Sequence, residues 1–578
     1  MGANIFDESS LLLVDCSKTS FFQICELFIR TPRMRKPLHN ICCLMRKTRA
    51  RWLMVQNAVE KTDYFEDKYP SVYEEILYLK KKYPNSEISA KQLTFFSSDI
   101  LWPPSQKKKY LFAIDKKKPT RKKNVILTTC VIIWITTNKN RGESFVDYIY
   151  EAVVSIPSII LKQTRLKLLN NYIHVFDKAD VIVGGEKLEV TTSYYCQQNS
   201  LTSVCAHSSL KMALWHADEG RYQPHTHVMN DIVRGIRNKK GERYVPSKGI
   251  RIEEIREICK HYQNELFEID FTNNKNANVS PYEMAYLLVE SGIPTIIVFK
   301  PKAGGDDLYH MVPVIGHTFN SDEWLPLAIR HYKDFPPAGL KTIEHDYISS
   351  AEWASHLIIH DDLLGPYLCI TPQSLTRKAR PDEDYAGRTC YVLGILPKGL
   401  QKIPSPVIAQ EIGAVYFWNI WDRLLCYAPE KWKNRIEELW NGKNKFKNLV
   451  LRTQIIKKDK FLTHLAELED HEENHSIISK ANNKKLYRRL TDVDLLWMVE
   501  FSLPELFCAN KSKIGEIVFP LEAAFKLELL DLKKGDEYPP PLCYRLFGCI
   551  DIFDDMPINI RIKSHTRLYR KLQTGFEY

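Results

Sequence analysis

The chain has 578 residues, 44% hydrophobic and 26% charged, with 81 Lys and Arg against 70 Asp and Glu for a net charge of +11. That length predicts two to four domains, and the balance is that of an ordinary globular protein, which excludes a disordered or fibrous class. Its 14 cysteines include no CxxC and no regular framework, only an adjacent pair at Cys42 and Cys43. This argues against a disulfide scaffold and for reduced thiols, hence a cytoplasmic location.

The first ten residues include Asp7 and Glu8 and lack a basic start, so no secretory signal is expected. Phe6 breaks the myristoylation pattern that Gly2 suggests. Residues 30–51 are basic, with Arg33, Arg35, Lys36, Arg46, Lys47, Arg49 and Arg51. Residues 60–83 read as a helix interrupted at Tyr69-Pro70. Residues 107–123 carry nine basic side chains against one acid, Asp115. They read as a hairpin tip between strands at 110–114 and 125–136, the second too short to span a bilayer. Such a basic N-terminal surface is either a solvated face or a site for an anionic partner: nucleic acid, an anionic membrane or an acidic protein. Residues 179–192, with Gly184-Gly185, read as a second hairpin.

Residues 198–214, QNSLTSVCAHSSLKMAL, carry the clearest chemical signal. Ala206, Leu210, Ala213 and Leu214 recur at helical spacing, and Ser200, Thr202 and Ser203 offer N-cap hydroxyls. Cys205 therefore falls in a first helical turn, where the helix dipole favours thiolate, the nucleophilic form. The competing reading is an inert thiol on a core helix. The small residues Ala206, Ser208, Ser209 and Ala213 allow a strand to approach closely. His207 points away from the sulfur on a helix, and His216 is too far along it. His225 and His227, with His216 and Asp218 nearby, hint at a metal, but HxH without a defined third ligand reads more simply as a polar turn, so no metal or cofactor is expected. Helices follow at 253–262 and 281–291.

Residues 293–299 are a β-branched run, hence a buried strand, followed by a Gly304-Gly305 loop. A second strand at 309–315, ended by Gly316, places His310 at its mouth. A histidine there, facing a helix N-terminus, suits a Cys–His pair; the alternative is a structural strand-end histidine. His317 should face the opposite side of that strand. In HLIIHDDLLGPYLCI, a strand at 357–359 ends in Asp361 and Asp362 before a Gly365-Pro366 turn. Alternation would put these carboxylates on opposite faces, so one acid reaches His310, and Asp361 is preferred. A turn cap is the competing role for both, and His360 reads as structural. A charged linker at 373–395 contains a strand at 390–395. A helix at 407–427, an alternating strand at 496–501 and a Pro539-Pro540-Pro541 turn complete the chain.

The order Gln…Cys-Ala-x-x-Ser-Leu-x-Met…Gly-Ile-Pro…His-Met-Val-x-Val-Ile-Gly…Asp resembles the papain-like cysteine peptidases, in particular their C39-like branch. The likeness is at motif level and covers residues 194–372. It implies an α+β fold, a helix packed on an antiparallel sheet, at 191–375, between a basic α+β region at 1–190 and an α+β region at 376–578. It also implies that Cys205 attacks, His310 is the base, Asp361 orients it and Gln198 assists the oxyanion hole. The Gln-to-Cys spacing is one residue longer than in the family, with Asn199 at the usual spacing and Gln197 one residue further out. The span from His310 to Asp361 is also much longer. The expected function is hydrolysis of peptide or isopeptide bonds in a peptide or protein substrate through a thioester, amine transfer being a close variant. The alternative is an inactive papain-like scaffold that binds a partner through the basic N-terminal region.

Overall fold

In the computed structural model the described residues are 12–16, 20–48, 50–58, 70–96, 126–139, 142–156, 171–183, 186–199, 205–221, 223–245, 249–272, 279–301, 309–319, 330–334, 343–375, 387–398, 400, 402–403, 406–427, 430, 434, 449–463, 490, 493–504, 507, 512–521, 542–546, 550–552, 570–571 and 576–577. The fold is α+β, with helices on largely antiparallel sheets.

The first part of the chain runs β1 (Leu12–Asp15), α1 (Phe21–Glu26), α2 (Pro32–Lys47), β2 (Trp52–Asn57), α3 (Pro70–Lys82), β3 (Ser86–Phe96), β4 (Ile126–Lys139), β5 (Gly142–Ser155), β6 (Asn171–Ile173), β7 (Asp177–Val183) and β8 (Glu186–Tyr195). Seven of these strands form an antiparallel sheet in the order β1-β2-β3-β4-β5-β8-β7. The arginine-rich stretch is an amphipathic helix. In α2, Met34, Leu38, Ile41, Cys42 and Met45 are buried, while Arg33, Arg35, Lys36, Arg46 and Lys47 are exposed. Helix α3 begins at Pro70, a residue suited to a first turn because its missing N–H has no partner there. Of the expected helix at 60–83, residues 60–69 lie outside the described residues, as do the basic tip at 107–123 with its strand at 110–114, Gly184-Gly185, and Ser200, Thr202 and Ser203.

The central part runs α4 (Cys205–Ala217), α5 (Thr226–Lys239), α6 (Ile252–His261), β9 (Glu265–Asp270), α7 (Pro281–Glu290), β10 (Thr295–Pro301), β11 (His310–Phe319), β12 (Arg330–Asp334), β13 (Ile343–Ser349), β14 (Ala354–Asp361), β15 (Gly365–Ile370) and β16 (Gly387–Leu396). An antiparallel sheet in the order β15-β14-β11-β10-β16-β9 forms its frame, with β6 added to β11. Strand alternation sends its side chains into two cores. Ile296, Val298, Met311, Leu393 and Ile395 pack against α4, α5 and α6. Ile297, Phe299, Val312, Val314 and Val392 join the larger core that includes α7.

Strand β11 does not stop at Gly316 but runs on to Phe319. A bulge between Val314 and Gly316 shifts its register against β14, and on the other edge β6 takes over from β10 at Gly316. A Cβ on Gly316 would stand 2.0 Å from the Tyr172 carbonyl oxygen, so glycine is there for close backbone approach and not for termination.

The last part contributes α8 (Pro406–Tyr427), β17 (Leu449–Lys457), β18 (Leu495–Ser502), β19 (Ser512–Lys513), β20 (Gly515–Pro520), β21 (Cys543–Leu546) and β22 (Ile550–Ile552). A sheet in the order β12-β13-β17-β18-β20-β21-β22 is antiparallel except at β13 and β17. The expected half-buried alternation of β18 is absent: Leu496 to Ser502 are all buried, because β18 is sandwiched between two clusters. Pro539-Pro540-Pro541 lies outside the described residues.

The sheets interleave along the chain. Strands β12 and β13 join the C-terminal sheet, whereas β16, which follows residue 375, sits between β10 and β9 of the central sheet. One hydrophobic cluster extends from Cys16 to Tyr544. Among the described residues no helix is long and apolar enough to cross a membrane.

Candidate active site

Cys205 is the first residue of α4, and its thiol is partly accessible. Every following residue of the helix to Ala217 is buried. The small residues do what their size allows: the Ser209 hydroxyl donates to the Met311 carbonyl at 2.7 Å and pins α4 to β11. Two of the buried polar side chains, Lys211 and His216, have clear partners. Lys211 Nζ donates to the Tyr150 carbonyl at 3.2 Å. His216 Nδ1–H donates to Asp177 at 2.6 Å, and its Nε2 accepts from the Tyr194 amide at 3.0 Å. His207 has neither nitrogen partnered among the described residues, and burial pushes its pKa down to about 3.

His310 opens β11 beside the start of α4. The imidazole Nε2–H donates to Asp361 Oδ2 at 2.7 Å, and the ring lies close enough to the Cys205 side chain to feel its charge. With Nε2 committed to Asp361, Nδ1 is the nitrogen left for the thiol. The Cys205 Sγ lies 3.6 Å from the Tyr309 carbonyl oxygen, and the Phe299 ring meets the imidazole edge-on at 5.4 Å. Burial works against the charged imidazole. The Asp361 hydrogen bond and the charges on Asp361 and Cys205 outweigh it and hold its pKa well above the usual histidine range.

Asp361 is rigidly held. Its Oδ1 accepts the backbone amides of Leu363 and Leu364 at 2.7 and 2.8 Å, which leaves Oδ2 for His310. The Tyr195 hydroxyl donates to the Asp361 carbonyl at 3.2 Å. Behind it, Gly365 adopts φ +122°, and a Cβ there would meet the Asn40 side chain at 2.8 Å.

Alternation does not separate the two acids. Asp362 lies beyond the end of β14, in the turn, and its Oδ1 is 3.9 Å from His310 Nε2. It is fully buried, beside the Ser208 hydroxyl, and neither oxygen makes a well-aligned hydrogen bond among the described residues. Burial, with the charge on Asp361, raises its pKa to about 7 against the opposing pull of His310. Asp362, weighed from the sequence only as the rival to Asp361, is instead a second acid buried beside the same imidazole. His360 faces elsewhere, accepting the Tyr367 amide at 3.1 Å and contacting Ser193 Oγ at 3.2 Å, and burial holds its pKa near about 3.

Among the three amides before Cys205, Gln197 is committed. Its Oε1 accepts the Ile149 amide at 3.1 Å and its Nε2 donates to the Arg33 carbonyl at 3.0 Å. Asn199 is buried. The Gln198 amide is half-buried and makes no hydrogen bond among the described residues. His216 and Asp218 do not join His225 and His227: His216 is bound to Asp177, while His225 Nε2 lies 2.8 Å from Glu74 and His227 Nδ1 3.7 Å from Glu75. His317 lies in a separate buried cluster, with Nε2 2.6 Å from Glu290.

A thiol at a helix start, an imidazole beside it and a carboxylate fixed behind that imidazole form an arrangement chemically suited to moving a proton and attacking a carbonyl. No family model matches the chain, and no curated protein matches it.

Proposed function

We propose that this protein is a papain-like cysteine hydrolase that cleaves peptide or isopeptide bonds through a thioester. One observation carries the reading: a single imidazole, His310, bonds Asp361 at 2.7 Å and lies beside the Cys205 thiol at the start of α4. Asp361 is oriented by two backbone amides, as a group that must fix a histidine tautomer requires.

In this mechanism His310 Nδ1 takes the thiol proton while the sulfur forms a bond to the substrate carbonyl carbon. The oxyanion is met by the Cys205 backbone N–H and the Gln198 side-chain amide, whose hydrogen-bonding capacity is not used elsewhere among the described residues. Collapse breaks the C–N bond, and the departing amine takes the proton from the imidazolium. Water then attacks the thioester, giving one proton to His310, and the thiol leaves with that proton restored. Asp361 stabilises the imidazolium at each stage.

The test is labelling by a thiol-directed electrophile and turnover of a panel of peptide and ubiquitin-like probes. Cys205→Ala should abolish both while leaving the thermal transition in place. Unchanged labelling in that variant means that Cys205 is not the reactive thiol.

A further inference from the structure

A second cluster lies away from the thiol, between α3 and the start of α5. Glu75 is almost fully buried; its Oε1 accepts the Tyr148 hydroxyl at 3.0 Å, and its Oε2 has no hydrogen-bond partner. His225, the N-cap of α5, directs Nε2 at the Glu74 carboxylate at 2.8 Å, and its buried Nδ1 has no partner. His227 stacks on Tyr78 with ring centroids 4.6 Å apart. Its buried Nδ1 also has no hydrogen-bond partner and stands 3.7 Å from Glu75 Oε2. One ligand atom from each of the three residues lies within 4.8 Å of the other two.

An orphaned buried polar atom is costly to leave unpaired, so three converging ones call for a shared partner. We propose that Glu75, His225 and His227 form a binding site for a zinc-like divalent cation. Two imidazoles and one carboxylate are a donor set suited to zinc, and a 3.7 Å separation accommodates an ion about 2 Å from each atom.

The surroundings match such a site. Glu74 holds His225 through Nε2, as outer carboxylates hold metal-binding histidines, and Tyr148 orients the Glu75 carboxylate. Lys211 is the opposing charge, but its ammonium is held by the Tyr150 carbonyl and lies over that ring, 3.6 Å from its centroid. The ion would clip α3 to α5, the helix beside α4. The polar-turn reading of the HxH sequence therefore gives way to a site whose third donor comes from a distant helix.

The experiment uses the full chain, stripped with chelator, loaded with zinc and gel-filtered before elemental analysis. Wild type and Cys205→Ala should each retain about one equivalent, which separates this site from the thiol and His310. His225→Ala/His227→Ala should retain less than about one tenth of that, and Glu74→Gln should bind about 10–100-fold more weakly. Chelator should lower the melting temperature of wild type but not of the double variant. If the double variant does not fold, Glu75→Gln, which can keep the Tyr148 contact, serves in its place. Zinc absent from the wild type, or retained by the histidine variant or by Glu75→Gln, overturns the proposal.

Discussion

At the scale of single residues, the two neighbouring acids are given different work by a shift of one position. Asp361 ends β14 with one oxygen locked by turn amides and the other on His310, whereas Asp362 is buried and only 3.9 Å from the same nitrogen. Asp361→Asn should slow alkylation of Cys205 on the order of 10²-fold or more, since an amide stabilises imidazolium poorly. The high-pH limb of the rate profile should move to lower pH, because Asp361 helps to raise the His310 pKa. Asp362→Asn should leave the alkylation rate within about threefold and act on stability instead. With its folded pKa raised to about 7, Asp362 keeps a proton that the unfolded chain releases near pH 4. Its contribution therefore falls as pH rises from about 4 to 7, and the Asn variant should lose that slope in melting temperature against pH.

At the scale of elements, strand β11 holds the site through a backbone contact. It presents His310 at one end and passes β6 at the other, where Gly316 lets the Tyr172 carbonyl approach. Gly316→Ala should destabilise the protein by about 3 kcal/mol, because the clash is with the Tyr172 backbone and cannot be relieved by a side-chain rotation. Denaturant unfolding reads this directly, and an effect below about 0.5 kcal/mol would mean that β6 shifts freely. Helix α4 is fixed in the same manner, by the Ser209 bond to β11 and by a wholly buried surface, so Cys205 is presented by rigid structure.

At the scale of the whole molecule, the central and C-terminal sheets share a chain of buried charge. Glu290 at the end of α7 binds Arg452 of β17; Arg452 binds Glu500 of β18, and Lys513 bridges Glu500 and Glu516. Buried histidines add a pH dependence of their own. Burial is the leading cause that holds His174, His207 and His360 each at about 3. The unfolded chain protonates them near pH 6.5, so stability is lost as pH falls from there toward 3. With up to three protons involved, the slope approaches about 4 kcal/mol per pH unit. Chemical denaturation at pH 7 and pH 5 should show the loss, and equal stabilities would count against neutral burial of these rings.

The local pattern of this chain was legible without coordinates wherever periodicity and turn chemistry act within one element. The helix carrying Cys205, the strand opened by His310, the hairpin of β7 and β8 and the helix α6 all follow from residues close in sequence. Cys205, His310 and Asp361 could be singled out because each sits where an element begins or ends. What only the tertiary structure decided depends on distant segments meeting. Gln197 is tied to Ile149 and Arg33 while the Gln198 amide is not so tied, Asp362 turns inward beside Asp361, and Gly316 makes room for β6. Glu75 reaches His227 from another helix, and β16 enters the central sheet from beyond residue 375. Such pairings are set by packing and by the need to satisfy buried polar groups, which no local spacing records.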